Sequence, residues 1–348
     1  MTRQPPTTLL RLFEDSGRHV LVYDIGRRVG AIGRGVFARF ESAAAPYPLP
    51  MQRKARFALV QIADDAESVV WFLQFALDEQ GLIVPAERDY LLVRLLESAQ
   101  AGQAGGDPQR VLHDNPLAFR PRDDRMALFH ARLGADLDRA PSRYYAHALD
   151  YFHGRLGWDQ WEFVGYQGIA EVACRHDDVP LAAAIAQLPP PPLIALCHCL
   201  ESQLVAVPLR DALLHRLDVA LRHPSPDVGE LAALIRGLSS QAGTRAVRER
   251  IAGVLAHPAA GDVELLAALS GRAWEALQDR SLLDLWLARL ADNAHGQAAF
   301  TQCVADLVGV PEMSATLRAA LRDPNHPNSV RRAVSRMTEK GAGRHPAA

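Results

Sequence analysis

The feature that most constrains the fold is a repeat in the C-terminal half, where a proline-containing turn recurs between helices. The stretches ALRHPSPDVGELAALI and VLAHPAAGDVELLAAL share one pattern: a helix ending at His-Pro, a short turn, then Asp-Val and a Leu/Ala-rich helix. The two His-Pro pairs begin at 223 and 257, which gives a period of 34 residues. A third copy, ALRDPNHPNSVRRAV, has its proline at 324, and Asp292-Asn293 occupies the turn expected between them. A period of this length is typical of stacked helix pairs.

This repeat predicts a C-terminal α-solenoid of HEAT-like helix pairs. A lone helix pair leaves one apolar face uncovered, and stacking of the next pair buries that face. Up to six pairs fit between Ser142 and Met337. The alternative is an irregular helical bundle with two pairs alike by chance, but the in-phase turns favour the solenoid. His223 and His257 are expected at helix ends, beside the last carbonyl groups.

The N-terminal region carries strand patterns instead. The stretches 19–25 (HVLVYDI), 56–63 (RFALVQIA) and 69–77 (VVWFLQFAL) are rich in β-branched and aromatic residues and are separated by turn-forming residues. They predict a three-stranded antiparallel meander. GVFARFESAA is expected to form a short helix, PYPLP an extended linker, and GRRVGAIGRG a turn with basic residues rather than a phosphate loop.

The predicted fold class is therefore mainly α with a small N-terminal β meander (α+β). The chain is read as a small α+β domain over 1–105, a helical-repeat domain over 106–340 and a disordered tail over 341–348. From Pro85 onward the pattern is almost wholly helical, because Leu recurs on one stripe of each segment.

Charge and composition exclude several classes of protein. The formal net charge is -2, so no overall basic field favours nucleic acid or anionic lipid. No apolar run is long enough to span a bilayer, and the N-terminus lacks the apolar core of a signal peptide. Four unevenly placed cysteines argue against a disulfide framework. A cytoplasmic protein with no membrane partner is expected.

Two adjacent carboxylates, Asp78 and Glu79, interrupt a long apolar run. Successive side chains of a strand point to opposite faces, so the two cannot converge on one substrate atom if the strand continues. If the chain turns there, Asp78 suits the first turn position and Gly81 the last. The pattern favours a turn over a general acid–base pair, although an exposed acidic turn can still serve as a docking point.

The stretch LCHC (196–199) invites a metal hypothesis, which helical geometry weakens. Residues two apart lie about 200° apart around a helix axis, so Cys197 and Cys199 face different sides. Cys197 is instead predicted to be a small core residue on one apolar stripe. That stripe comprises Leu193, Leu196, Cys197, Leu200 and Leu204. Whether Cys174, His176, His198 and Cys199 converge is left open, and no metal or cofactor is predicted.

The chain contains no G-x-S-x-G, Walker A or H-E-x-x-H motif, which favours a protein that is not an enzyme. One aromatic cluster is denser than its surroundings and includes Trp158 and Trp161. Residues three apart are neighbours on a helix, and core packing is the favoured interpretation of this pair. An exposed ring in the cluster would instead be a candidate interface hot spot.

Five stretches together resemble an uncharacterised gamma-proteobacterial protein family marked by a Leu-Asp-Glu motif, here Leu77-Asp78-Glu79. These stretches are YDIGRRV, PYPLP, WFLQFALDEQGLI, DDRMALFHA and GWDQWEFVGYQGIAEV. The resemblance spans nearly the whole chain. It implies a bacterial, cytoplasmic setting and brings no activity, cofactor or catalytic residue.

Three function classes follow from these patterns. The favoured hypothesis is a protein–protein interaction or scaffold protein that uses a helical-repeat surface, with another protein as its partner. The second is an enzyme or small-ligand-binding protein with its site between the β region and the first helices; its candidates are Asp78, Glu79, Asp123, Asp124 and His130. Nucleic-acid binding is the least favoured, because a solvated tail explains the cluster of Arg331, Arg332 and Arg336 equally well.

Overall fold

A computed structural model describes residues 8–14, 19–62, 68–102, 115–176 and 178–342. The chain divides into two compact units. Unit 1 comprises 1–126 and 309–311, and unit 2 comprises 127–308 and 312–348. The domain boundary expected near residue 105 and most of the predicted tail lie outside the described residues.

Unit 1 contains a four-stranded antiparallel sheet. Its strands are β1 (His19–Asp24), β2 (Gly30–Ala31), β3 (Lys54–Ile62) and β4 (Val69–Ala76), in the order β2-β1-β3-β4. The three predicted strands pair in sequence order, as a meander requires. The fourth strand, β2, was not predicted, because two residues carry no periodicity.

Three helices accompany the sheet in the part of unit 1 that the structure describes: α1 (Leu9–Glu14), α2 (Arg34–Glu41) and α3 (Pro85–Gly102). An aromatic core forms where α2 meets the strands. Phe37 packs edge-on against Phe57, and Phe57 stacks on Phe75 with 5.6 Å between ring centroids. Tyr47 of the PYPLP linker is fully buried against Phe40, so the linker belongs to the core of unit 1.

The described part of unit 2 contains helices and no strand, and the division between the units falls within α4 (Asp123–Asp136). The helices that follow are α5 (Tyr145–Phe152), a 3-10 helix (Trp158–Phe163), α6 (Tyr166–Arg175), α7 (Asp178–Ile185), α8 (Pro190–Leu200), α9 (Val207–Leu221), α10 (Val228–Gly237), α11 (Arg245–Ala256), α12 (Val263–Arg272), α13 (Arg280–Ala291), α14 (Gly296–Val308), α15 (Pro311–Leu321) and α16 (Asn328–Ala342). Short 3-10 turns lie at Ser239–Gln241, Pro258–Gly261 and Trp274–Gln278. The chain is thus mostly helical with a small N-terminal sheet, as predicted. In the part of the chain that the structure describes, no helix is both long and apolar enough to cross a bilayer.

The helices of unit 2 pack mainly on the helix two positions along the chain. One row consists of α6, α8, α10, α12, α14 and α16, in which each helix contacts the next. A second row consists of α5, α7, α9, α11 and α13. Contacts such as α9 with α10 join the rows. A small residue permits close approach within the first row, since a Cβ atom on Gly237 of α10 would lie 3.1 Å from Sγ of Cys197 on α8.

Three of the in-phase turns found in the sequence share one hydrogen bond. In each, a side chain just after the first helix accepts the backbone N–H of the residue two positions later; the acceptors are His257, Asn293 and Asp323, at 3.1, 2.7 and 2.9 Å. In the fourth turn, Nδ1 of His223 lies 2.6 Å from the Ser225 carbonyl oxygen and donates to it. Both histidines lie at helix ends as predicted, but their rings bind the following turn and not the preceding carbonyl groups.

One residue of the predicted apolar stripe is exposed and not buried. Cys197, Leu196 and Leu200 are fully buried, as expected, but Leu204 is 87% exposed. Helix α8 ends at Leu200, so the helical spacing that would have turned Leu204 toward the core stops before it.

Candidate functional site

The segment 158–163 holds three aromatic residues and buries none of them. Trp158 and Trp161 are half-buried, and Phe163 is 73% exposed. The prediction that the two tryptophans pack in the core is therefore wrong. The segment forms a six-residue 3-10 helix that is separate from α6. In a 3-10 helix, side chains three positions apart are eclipsed. Trp158 and Trp161 therefore lie on the same side of this short helix, and both stay partly exposed to solvent.

Trp158 is held in place by contacts with its neighbours. The Tyr151 ring packs edge-on against it at 5.6 Å, and the Tyr151 hydroxyl donates to the Trp158 carbonyl at 3.0 Å. The indole Nε1 of Trp158 donates to Oε1 of Gln187 at 3.1 Å. Gly154 has a φ of +69°, and a Cβ there would lie 3.3 Å from the indole. The tryptophan is thus partly exposed yet fixed.

Tyr144 adds a second exposed ring. It is 44% exposed, and the Arg143 guanidinium lies 4.9 Å from the ring centroid and donates to the hydroxyl at 2.7 Å. The ring lies beside Gly165, the residue that precedes the first turn of α6. At Gly168 a Cβ would come within 2.6 Å of the Tyr144 carbonyl oxygen, so glycine is required for α6 to approach this backbone. We call Arg143, Tyr144, Trp158, Trp161 and Phe163 the aromatic surface.

A buried carboxylate anchors the backbone before Tyr144. Both oxygens of Glu171 on α6 accept from Ser142: Oε1 from the backbone N–H at 2.9 Å and Oε2 from the hydroxyl at 2.7 Å. The Ser142 hydroxyl oxygen in turn accepts the Tyr144 N–H at 3.2 Å. Glu171 was missed in the sequence; its only sign was a carboxylate within the apolar stretch GIAEVA. Its hydrogen bonds fix the start of α5, and with it one edge of the aromatic surface.

Asp78 lies in a turn of unit 1, as predicted. Its carbonyl accepts the Gly81 N–H at 3.1 Å, and its Oδ1 accepts from Gln80 and Leu82 at 2.8 Å each. Gly81 has a φ of +79°, a conformation that favours glycine. Glu79 is exposed in the same turn. The carboxylate of Asp78 is therefore engaged in holding the turn.

The remaining acidic candidates lie at the start of α4. Asp123 pairs with Arg120 at 3.5 Å in an exposed position, and the half-buried Asp124 pairs with the exposed Arg122 at 3.1 Å. His130 is exposed on the same helix, about two turns later. In the described residues no hydrogen bond or ion pair joins these three side chains.

Of the four residues whose convergence on a metal the sequence left open, Cys174 and Cys199 lie near each other. The Cys174 thiol accepts from Gln203 at 3.5 Å; burial, together with the nearby Cys199 thiol, raises its pKa to about 12. Metal binding needs a thiolate, which such an environment disfavours. His176 lies against the Ala173 carbonyl oxygen at 2.7 Å. Among the described residues no group of three or more His, Cys, Asp or Glu is placed to hold a metal ion.

Three stretches that carried the family resemblance meet inside unit 1. The Tyr47 hydroxyl of PYPLP donates to Oδ1 of Asp24 in YDIGRRV at 2.8 Å. Arg27 is fully buried, and its Nε donates to the Pro50 carbonyl at 2.7 Å. The Tyr47 N–H donates to the Gly81 carbonyl of the Leu-Asp-Glu turn at 2.9 Å. These stretches therefore hold one another in place.

The family described as "protein of unknown function (DUF3549)" matches residues 6–338. The chain belongs to this family. The match covers the sheet, the aromatic surface and all the in-phase turns. Searches of curated proteins and of solved structures found no match.

Proposed function

We propose that this member of the family is a protein–protein interaction protein whose aromatic surface binds another protein. The observation that carries the proposal is the 3-10 segment 158–163, in which aromatic rings are left partly exposed while the backbone around them is fixed. Tryptophan, tyrosine and arginine are the residues most enriched in binding hot spots. Rings that are already ordered lose little conformational entropy when they bind.

The proposal includes an α-solenoid of HEAT-like helix pairs as the frame of this surface. Row packing between helices two apart supports it, as does the hydrogen bond shared by three of the in-phase turns. Ionic contacts also link successive helices of the first row. The buried carboxylate of Glu201, at the end of α8, pairs with Arg236 at 2.6 Å and with Arg272 at 3.1 Å. These three residues are 35 and 36 positions apart, which is close to the sequence period.

A protein partner fits this surface better than a small ligand. Small-molecule sites enclose most of the ligand surface in a concave pocket. The most exposed ring, Phe163, projects into solvent instead, and Tyr144 carries an arginine over its face. Such a surface gains most from a partner large enough to cover several rings at once.

The proposal is tested by affinity purification of the full chain from its native host, with quantitative mass spectrometry. The test variant is Trp161→Ala with Phe163→Ala. The matched control is Leu204→Ala, which removes a more exposed apolar side chain from the same unit. Circular dichroism confirms that all three proteins are folded.

We expect one protein at fixed stoichiometry with the wild type, its recovery at least tenfold lower with the test variant and unchanged with the control. Size-exclusion chromatography with light scattering shows whether that partner is a second copy of this chain. Equal recovery of every co-purifying protein with the wild type and the test variant would rule the aromatic surface out.

A further inference from the structure

The last helix of unit 2, α16, has two different faces. Val330 and Ala333 are buried, and the helix packs on α13 and α14. The side-chain amide of Gln297 on α14 donates to the Ala333 carbonyl at 2.9 Å, which fixes the helix on its neighbour. The opposite face is therefore presented to solvent by a helix that is firmly seated.

That opposite face is basic. A shallow groove of about 720 Å³ runs along it, lined by Asn328, Arg331, Arg332, Ser335, Arg336 and Glu339. The three arginines are exposed. They lie between positions 331 and 336 of one helix, and their side chains line the same groove. Three positive charges face one carboxylate, which leaves the groove with a net positive charge.

These arginines differ from other exposed arginines of unit 2 in their partners. Arg155 pairs with Asp150 at 2.7 Å, Arg245 with Glu249 at 2.7 Å, and Arg280 with Asp284 at 2.8 Å. Within the described residues, none of the three α16 arginines forms an ion pair with a carboxylate. Two of them bind a neutral residue instead. The Nη2 of Arg331 donates to the side-chain oxygen of Asn328, and the Nε of Arg332 donates to the Asn328 carbonyl. Since each guanidinium has five N–H donors, most donors of this face remain available.

We propose that the arginine face of α16 is a docking surface for an acidic segment of a partner protein. Arginine binds carboxylates through two parallel hydrogen bonds, and separate carboxylates on a peptide can each pair with one guanidinium. The proposal concerns a second surface and does not depend on the aromatic surface.

An acidic peptide fits the groove better than a nucleic acid does. A continuous phosphate backbone would pass close to Glu339, whereas spaced carboxylates can avoid it. Among the described residues that line this face there is no aromatic ring on which a base could stack. The net charge of the chain, -2, also supplies no general attraction for a polyanion.

The test measures fluorescence anisotropy of a labelled peptide of alternating Glu and Ala, added to the full chain at low salt. The test variant is Arg331→Glu with Arg336→Glu. The matched control is Arg94→Glu with Arg245→Glu, which changes the net charge equally at exposed arginines that already have carboxylate partners. A peptide with Gln in place of Glu, and a single-stranded RNA of equal charge, serve as competing probes. Circular dichroism and Tm confirm that both variants fold.

We expect binding that weakens at least tenfold in the test variant, changes less than twofold in the control, and is absent for the Gln peptide. Trp161→Ala with Phe163→Ala leaves it unchanged, which separates this proposal from the proposed function. Equal weakening in both charge-reversal variants would mean that only overall charge matters and would overturn the proposal. Tighter binding of the RNA than of the peptide would overturn it as well.

Discussion

Two buried carboxylates of unit 1 and one of unit 2 are held in different ways. In unit 1, Asp24 and Glu41 are buried and accept hydrogen bonds from uncharged donors: Asp24 from the Tyr47 hydroxyl and the Arg28 N–H, Glu41 from the N–H groups of Leu9 and Leu10. In unit 2, the equally buried Glu201 lies between two guanidinium groups.

The difference shows in the pKa values of the two unit 1 carboxyl groups, which keep their protons to a higher pH than usual. Burial raises the pKa of Asp24 from 3.8 to about 6 and the pKa of Glu41 from 4.5 to about 7, and the hydrogen bonds only partly oppose this. In unit 2, removal of Glu201 would leave two partly buried guanidinium groups without their carboxylate. Unit 1 is therefore expected to respond to pH, and unit 2 to the loss of an ion-pair partner.

The largest expected effect is in unit 2. Glu201→Ala leaves Arg236 and Arg272 partly buried without their carboxylate, and we expect a loss of about 3–5 kcal/mol in the free energy of unfolding. Urea denaturation followed by circular dichroism measures it. The control is Glu249→Ala, which breaks an exposed pair with Arg245; a much smaller loss is expected there, because solvent and salt screen exposed ion pairs. Equal losses in both variants would break the comparison, since burial would then make no difference.

The next effect concerns the pH dependence of unit 1. Because the pKa of Asp24 is higher in the folded chain, the folded state binds more protons between pH 4 and pH 6. The contribution of Asp24 to stability is therefore full below pH 4 and is lost as pH rises through about 6, by roughly 3 kcal/mol in total. Asp24→Asn removes this dependence.

Hydrogen exchange of the β1 and β3 amides at pH 4 and pH 7.5, after correction for intrinsic rates, measures the change in unit 1 alone. The wild type should lose protection relative to Asp24→Asn as pH rises. Glu41→Gln is the companion variant, whose window extends to about pH 7. A constant difference between wild type and variant at the two pH values would contradict the assignment.

The smallest expected effect tests the role of one uncharged donor, the Tyr47 hydroxyl. Tyr47→Phe removes the hydroxyl that donates to Asp24, a contact that lowers the pKa of this carboxyl. We expect a loss of about 1 kcal/mol at pH 7.5 and a further rise in the pKa of Asp24. The carboxyl carbon chemical shift of Asp24, followed by NMR against pH, measures the pKa directly. A pKa that falls or stays constant would show that the hydroxyl does not stabilise the charged form.

Local patterns in the sequence were enough to predict the strands, the helical C-terminal part and the in-phase turns. A strand such as β3 is marked by its own residues, and a turn at Asp78–Gly81 is marked by a carboxylate and a glycine at fixed spacing. Short elements escaped prediction: α1 has six residues and β2 only two, too few to show a period. Leu204 was misplaced because the end of α8 carries no proline or glycine to mark it.

The candidate site was predictable only in part. The aromatic cluster was visible in the sequence, but the exposure of its rings depends on the 3-10 form of 158–163, which propensity does not distinguish from an α-helix. Glu201 and Arg236 are 35 residues apart, so their pairing depends on helix packing and not on local sequence. The same holds for Glu171, whose partner Ser142 lies 29 positions away.

Row packing in unit 2 also bears on how such a chain can change over evolutionary time. Because contacts within each row join helices two positions apart, the surroundings of one pair are set mainly by its immediate neighbours. On the proposed solenoid, duplication or deletion of one whole pair, about 34 residues cut at equivalent turns, would rejoin surfaces of the same kind. Gene length can then vary in steps of one pair, while a shorter insertion inside a helix would shift its apolar face away from both neighbours.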